Sequence, residues 1–311
     1  MVPMRARLLS HFGRQAWVLD GQGQALACVY KGRELQPTAN DWVEVDTTAQ
    51  PAVITEILER RNAVMRSEAH RAKTLAANVD QALIVISGAP LFSDELLARM
   101  LCACAVEGIT GTVVLNKMDL VDQTKRAQAQ LAAFGPALEL LGWQVMQIAA
   151  KPAGPECNPH DAPAGLEPLN RFLQGKTTLI MGQSGMGKSS VLNALVPGLN
   201  AQTREISEAL QTGKHTTTAG LVVAQNATTW LIDTPGFQLF GLHHLSESQL
   251  ALGFPEWRAI HEQHGRCRFA NCTHMAEPGC SVRTACENAG HENNQAALRR
   301  LDLWRTLRAS L

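Results

Sequence analysis

Gly182-Gln183-Ser184-Gly185-Met186-Gly187-Lys188-Ser189 reads G-x-x-x-x-G-K-S, directly after the apolar run Thr177 to Met181 and directly before a helical pattern that begins at Ser190. This spacing predicts a phosphate-binding loop. Glycines let successive backbone N–H groups curl around a β-phosphate with no Cβ in the way, and the helix N-terminus behind them adds favourable partial charge. Lys188 would reach the β- and γ-phosphates, and the Ser189 hydroxyl would ligate Mg²⁺. Nucleotide contacts are expected from Gly182, Gln183, Ser184, Gly185, Met186, Gly187, Lys188, Ser189 and Ser190.

A phosphate loop does not name the base. Asn116-Lys117-Met118-Asp119 follows the apolar strand Thr112 to Leu115. An aspartate there can accept two hydrogen bonds from the N1–H and exocyclic amine of guanine, a donor pair that adenine lacks. Asn116 and Lys117 would hold the loop and cover the ring. The order is unusual, because an ordinary GTPase carries its phosphate loop first and its base-reading loop last. A doubly wound sheet can be cut at one loop and rejoined at another without changing which side chains meet in space. The order therefore predicts a circularly permuted GTPase.

NKMD, then GQSGMGKSS, then GKHTTT (Gly213 to Thr218), then DTPGF (Asp233 to Phe237), followed by a cysteine and histidine cluster, resembles the bacterial RsgA/YjeQ family of ribosome small-subunit-dependent GTPases. The likeness covers nearly the whole chain. It implies an N-terminal RNA-binding OB barrel, a C-terminal zinc module and a partner, the small ribosomal subunit with its rRNA, bound late in maturation and released on hydrolysis.

Composition sets bounds. The 311 residues are 45% hydrophobic and 18% charged, enough for a large core in two or three domains, and no apolar run reaches membrane-span length. The first residues carry no apolar stretch behind their charges, so no signal peptide is expected and a cytoplasmic, monomeric protein is the default. The formal net charge is zero, so any RNA contact must use local patches. Eight cysteines, four of them in the last third, suit a metal better than a disulfide scaffold.

In chain order, residues 1–68 read as short strands (Gln15 to Leu19, Ala25 to Tyr30, Trp42 to Val45, Ala52 to Leu58), a small β-domain of OB or SH3-like kind. Arg60, Arg61, Arg66, His70, Arg71 and Lys73 read as a solvated basic linker or a phosphate-backbone contact. Residues 69–240 alternate strand and helix: a strand at Gln81 to Ser87, a helix capped by Ser93 and running to Val106, one helix from Asp122 to about Leu141, a strand at Gln144 to Ile148 and a helix at Leu166 to Leu173. Cys102 and Cys104 read as small buried residues. Ala149-Ala150-Lys151 stands where GTPases usually carry Ser-Ala-Lys, and the Ala150 amide with Lys151 would meet the guanine. Residues 151–164, with four prolines around Cys157 and His160, read as a surface loop.

Gly213 to Thr218 occupies the place of the first switch, where Thr217 is favoured to close over Mg²⁺. Asp233 can hold Mg²⁺ through water and the Gly236 N–H can meet the γ-phosphate. Phe237 follows, where many GTPases place the glutamine that orients water, and phenylalanine cannot do that. The family resemblance points instead to His215 as the catalytic residue beside Lys188. Residues 241–311 contain Cys267-x4-Cys272-x-His274-x5-Cys280, a ligand set for one structural, tetrahedral Zn²⁺. His243 and His244 read as exposed loop residues, His261, His264, Cys286 and His291 as neighbours of the cluster, and Asn294 to Leu311 as an amphipathic basic helix.

Overall fold

The computed structural model describes residues 3–31, 35–68, 71–150, 165–196, 198–199, 220–288 and 291–311. The expected loop at 151–164, with Lys151, and the first-switch segment, with His215 and Thr217, lie outside the described residues.

The first five strands, β1 (Met4–Phe12), β2 (Gln15–Asp20), β3 (Ala25–Tyr30), β4 (Trp42–Asp46) and β5 (Ala52–Ile57), close into a barrel of order β1-β2-β3-β5-β4. Only β3 and β5 run parallel. This is the OB arrangement, and alternate residues such as Ala6, Leu8, Val18, Val43, Val45 and Ile54 fill its interior. Outside, Arg5 and Arg7 lie 4.6 and 5.1 Å from the Trp42 ring centroid.

The basic run expected as a linker is instead a hairpin, β6 (Ala63–Glu68) and β7 (Arg71–Ala77), closed by antiparallel pairing. Apolar positions between the charges explain it: Val64, Leu75, Ala76 and Ala77 are buried. The arginines at its base are also engaged, Arg60 with fully buried Asp41 at 2.7 Å and Arg61 with Asp80 at 2.6 Å.

A six-stranded sheet follows, of order β10-β9-β8-β11-β13-β12, built from β8 (Gln81–Ser87), β9 (Gly111–Asn116), β10 (Gln144–Gln147), β11 (Thr177–Met181), β12 (Leu221–Ala224) and β13 (Trp230–Asp233). All pairs are parallel except β12 with β13. Strands β8, β9 and β11 are buried throughout, as continuous apolar runs covered on both faces should be. Helix α1 (Asp94–Val106) begins at an N-cap, Ser93, whose hydroxyl accepts from the Leu96 N–H. The single helix expected from Asp122 to Leu141 is two, α2 (Val121–Ala132) and α3 (Gly135–Leu140). Pro136 lacks the N–H that would continue the first helix and serves the first turn of the second. Helices α4 (Leu166–Leu173) and α5 (Lys188–Leu195) flank β11.

The last part is helical: α6 (Glu247–Leu250), α7 (Glu256–His264), α8 (Ser281–Asn288) and α9 (His291–Ala309). It packs closely on α1, where Cys102 is fully buried and a Cβ on Gly253 would meet its Sγ at 2.2 Å. Among the described residues no helix is long and apolar enough to cross a membrane.

Candidate nucleotide-binding site and metal centre

Parallel strands deliver their loops to one edge of the sheet, and the N-K-x-D, G-x-x-x-x-G-K-S and D-x-x-G motifs arrive there. β8 ends at Ser87, β9 at Asn116, β11 at Met181 and β13 at Asp233. Register sets their depth: Ser87 pairs with Asn116 and Ile180 with Asp233.

The glycines of the phosphate loop are required by crowding as well as by curvature. A Cβ on Gly182 (φ 152°) would lie 2.4 Å from Val85 O, and one on Gly187 (φ 90°) would lie 2.4 Å from Asn116 Nδ2. Behind the loop Lys188 is only 8% exposed, and its ammonium donates to Gly182 O at 3.0 Å and Gln183 O at 3.3 Å. Burial pushes its pKa down, while the charge of Asp233 pulls it back up. Burial likewise raises the Asp233 carboxyl to about 6 against the pull of Lys188. A divalent cation bound nearby would favour the charged form of the Asp233 carboxyl and lower its pKa again. Ser189, in the first turn of α5, is exposed on the same loop.

Asn116, 2% exposed, braces three loops. Its Nδ2 donates to Met186 O and its Oδ1 accepts from the Ala150 N–H, both at 3.1 Å. Lys117, at φ 65°, donates from Nζ to Gly185 O at 2.8 Å and to Ala89 O. Asp119 stands partly exposed two residues on. Asn116 and Lys117 thus bond to the phosphate loop, and Asn116 ties Ala150 to the same junction.

Two contacts at this site had no signal in the sequence. Gln183 Oε1 accepts from the N–H of Ser93, the cap of α1, at 3.0 Å. Phe237 pairs with the loop itself, donating to Gly182 O and accepting from the Ser184 N–H, both at 3.2 Å. Gly236 is pressed so close that a Cβ would meet Lys188 Nζ at 2.8 Å. Each joins residues far apart in the chain, beyond the reach of a local pattern.

A second cluster lies in the helical part. Cys267, Cys272, His274 and Cys280 place their donor atoms within 4.8 Å of one another. Cys267 Sγ lies 4.0 Å from Cys280 Sγ and 3.7 Å from His274 Nδ1, and His274 Nδ1 lies 3.4 Å from Cys280 Sγ. Sulfur and nitrogen ligands tetrahedrally around one Zn²⁺ stand about 3.6–3.8 Å apart, so this donor set fits that ion. His274 adopts φ 59°, and Trp304 Nε1 donates to Thr273 O at 3.0 Å, which fixes the ligand loop against α9. Of the expected neighbours, His261 places its Nε2 3.4 Å from Cys267 Sγ. Cys286 is buried, His243 is exposed, and His244, expected in solvent, is half-buried with its Nδ1 2.8 Å from Ser67 Oγ.

The family profile described as RsgA GTPase matches residues 57–243. A relative from Ralstonia pickettii named small ribosomal subunit biogenesis GTPase RsgA is 41% identical over 281 residues, 88% of this chain and 84% of its own length. A relative of the same name from Nitrosospira multiformis is 36% identical over 310 residues, 99% of this chain and 91% of its own. Among solved structures, YjeQ from Thermotoga maritima superposes with a TM-score of 0.68 at 24% identity, over 98% of this chain and 99% of that one. YloQ, described as a circularly permuted GTPase, superposes at 0.64 with 22% identity, over 98% and 96%.

Proposed function

The chain belongs to the RsgA GTPase family, and from that premise we propose that it hydrolyses GTP to GDP and phosphate during maturation of the small ribosomal subunit, as its relatives' names describe. The observation that carries this reading is the junction at Asn116, which ties a guanine-type N-K-x-D loop to a G-x-x-x-x-G-K-S loop in permuted order. In an adenine nucleotide enzyme Asp119 would have no donor pair to meet.

In the proposed mechanism, amides of residues 183 to 189 cradle the phosphates, and Lys188, held by Gly182 and Gln183, neutralises charge that develops on the β–γ bridge. Asp119 selects guanine, Lys117 covers the ring, and the Ala150 amide, here engaged by Asn116, shares its hydrogen with guanine O6 while Lys151 flanks the base. The Gly236 N–H meets the γ-phosphate. Mg²⁺ would be held by Ser189 and Thr217 directly and by Asp233 through water, and it supplies further neutralisation of the phosphates. His215 positions the attacking water, as the family resemblance implies; the Phe237 side chain carries no polar atom for that task. Zn²⁺, held by Cys267, Cys272, His274 and Cys280, supplies structure. We also propose three functional parts: the barrel at 1–68 as an rRNA-binding module, the GTPase at 69–240 and the zinc module at 241–311, working as a monomer in the cytoplasm.

Phosphate release from GTP by the purified chain, with and without small ribosomal subunits and beside His215→Ala, tests the proposal. Stimulation by subunits that is lost in the variant is expected. GTP-dependent binding to subunits without turnover would make the chain a nucleotide-gated RNA clamp instead, and competition by ADP as well as GDP would remove the guanine reading.

A further inference from the structure

A cavity of about 740 Å³ beside the phosphate loop is walled by Arg66, Arg99, Gln183, Gly236 and Phe237. The backbone from Phe237 to Gly241 crosses it and is fastened on both sides. On the inner side Phe237 exchanges two hydrogen bonds with Gly182 and Ser184. On the outer side Gly241 exchanges two with Ser67 of β6, at 2.8 and 3.2 Å. A Cβ on Gly241 would lie 2.6 Å from Ser67 O, so this seat is tight.

Arg66 fills the space between the two fastenings. Its guanidinium carbon lies 4.9 Å from the Phe237 ring centroid, its Nη1 donates to Leu239 O at 3.2 Å, and its Nη2 pairs with Glu68. Its Nε is buried with no hydrogen-bond partner. A cation spends a buried donor here, which is costly unless the stacking and the Leu239 bond repay it. Phe237, 3% exposed and edge-on to Phe240 at 5.2 Å, is the ring they hold.

We propose that Arg66 is a positioning residue for GTP hydrolysis, which keeps Phe237–Gly241 in one register between the phosphate loop and the β6–β7 hairpin. The inference rests on the GTPase reading above. The Phe237 backbone is seated on the phosphate loop, so the register of this segment sets where the neighbouring Gly236 N–H is presented. Gly236, one residue earlier, has little room on that side: a Cβ there would meet Lys188 Nζ at 2.8 Å and Ser184 Cα at 3.0 Å. A loosened Phe237 would therefore displace the Gly236 N–H as well. Lysine cannot reproduce both the flat stacking and the forked donation of arginine.

The test uses the full chain with saturating small ribosomal subunits. Arg66→Ala is expected to lower kcat about tenfold while KM for GTP stays within about twofold, and Arg66→Lys to recover only part of the loss. Amide exchange at Phe237 and Gly241 in the GDP-bound chain is expected to rise, with the thermal midpoint unchanged. Wild-type kcat and exchange in Arg66→Ala, with an active wild type, would overturn this inference alone. Faster exchange throughout the chain, with kcat and KM failing together in both variants, would reduce Arg66 to a structural role and also overturn it. A wild type without turnover would overturn the GTPase reading and this inference with it.

Discussion

Replacing Asn116 by alanine removes one side chain and leaves two buried backbone groups without partners. The Met186 carbonyl loses its donor and the Ala150 N–H its acceptor, both from bonds of 3.1 Å, at residues 0% and 7% exposed. Each stranded group costs about 1–3 kcal/mol, and water entering the vacated space offsets part of this, so a loss of about 3 kcal/mol is expected. In a domain of this size 1 kcal/mol moves the melting midpoint by about 2–4 °C, which puts the shift near 6–12 °C.

The assay is calorimetry or circular dichroism on the nucleotide-free chain, where ligand contacts cannot contribute. Asn116→Asp sharpens it. Aspartate keeps an acceptor for the Ala150 N–H but turns a carboxylate oxygen toward the Met186 carbonyl. Its destabilisation at neutral pH should match or exceed that of alanine, and it should recover in acid, where a protonated carboxyl can donate to Met186 O. A nucleotide-free Asn116→Ala that melts within about 1 °C of wild type, yet binds GDP weakly, would refute the bracing argument and leave Asn116 acting only on the ligand.

Arg300 is 3% exposed, bonded to Glu256 at 2.6 Å and to Gly253 O at 2.9 Å, and stacked on Phe254 at 4.2 Å. Arg300→Ala should cost about 3–5 kcal/mol in urea unfolding by stranding Glu256, and Arg300→Met with Glu256→Leu markedly less. Removing the metal with a strong chelator should release one zinc per chain by atomic emission and make Cys267, Cys272 and Cys280 reactive to a thiol reagent. A chain that holds no zinc as purified from zinc-replete medium would refute that assignment. Burial, then the charge of His243, depresses the pKa of His244 below 6.5, with Glu107 opposing. The unfolded chain then takes up the proton more readily, so stability present above 6.5 falls as pH drops through the lower folded value. His244→Gln should flatten the slope of the denaturant midpoint as pH falls below 6.5, where the unfolded His244 would otherwise take up its proton first.

How much of this was legible depended on how burial is written into the chain. β11 and α4 lie at the bounds read from sequence, because a fully covered parallel strand is an uninterrupted apolar run and α4 is a clean amphipathic turn pattern. Both nucleotide motifs are short contiguous strings and the four cysteine and histidine positions lie close together in the chain, so local spacing alone marks them. β1 is not marked in this way. Arg5 and Arg7 interrupt it, and only the closed barrel reveals that they stack outside on Trp42 while Ala6 and Leu8 point inward. The β6–β7 hairpin was hidden in the same way, its charges Arg66, Glu68, Arg71 and Lys73 grouped at the turn and the buried Val64, Leu75, Ala76 and Ala77 at the far end. The seat of Phe237 on the phosphate loop was beyond reach, since its partners Gly182 and Ser184 lie more than fifty residues away in the chain and Arg66 171 residues away.

Permutation changes where motion at the phosphate loop can go. In the ordinary order the segment after D-x-x-G returns into the sheet, which would absorb a displacement. Here Phe237–Gly241 runs on into α6 and the helices that carry the metal ligands. A second tie runs parallel to it: Gln183 holds the cap of α1, and α1 meets the last helix through Asp94 with Arg299 and through Arg99 with Ser310. Both ends of the helical part are thus tethered to the two sides of one phosphate loop. A shift confined to Gly236 would pull on one tether and leave the other in place, and that is a rotation. The hairpin sets its pivot, because Ser67 fixes Gly241 by two backbone bonds and leaves no room for a side chain there. Any displacement of Phe237 from the phosphate loop would therefore reach the helical part through contacts already present.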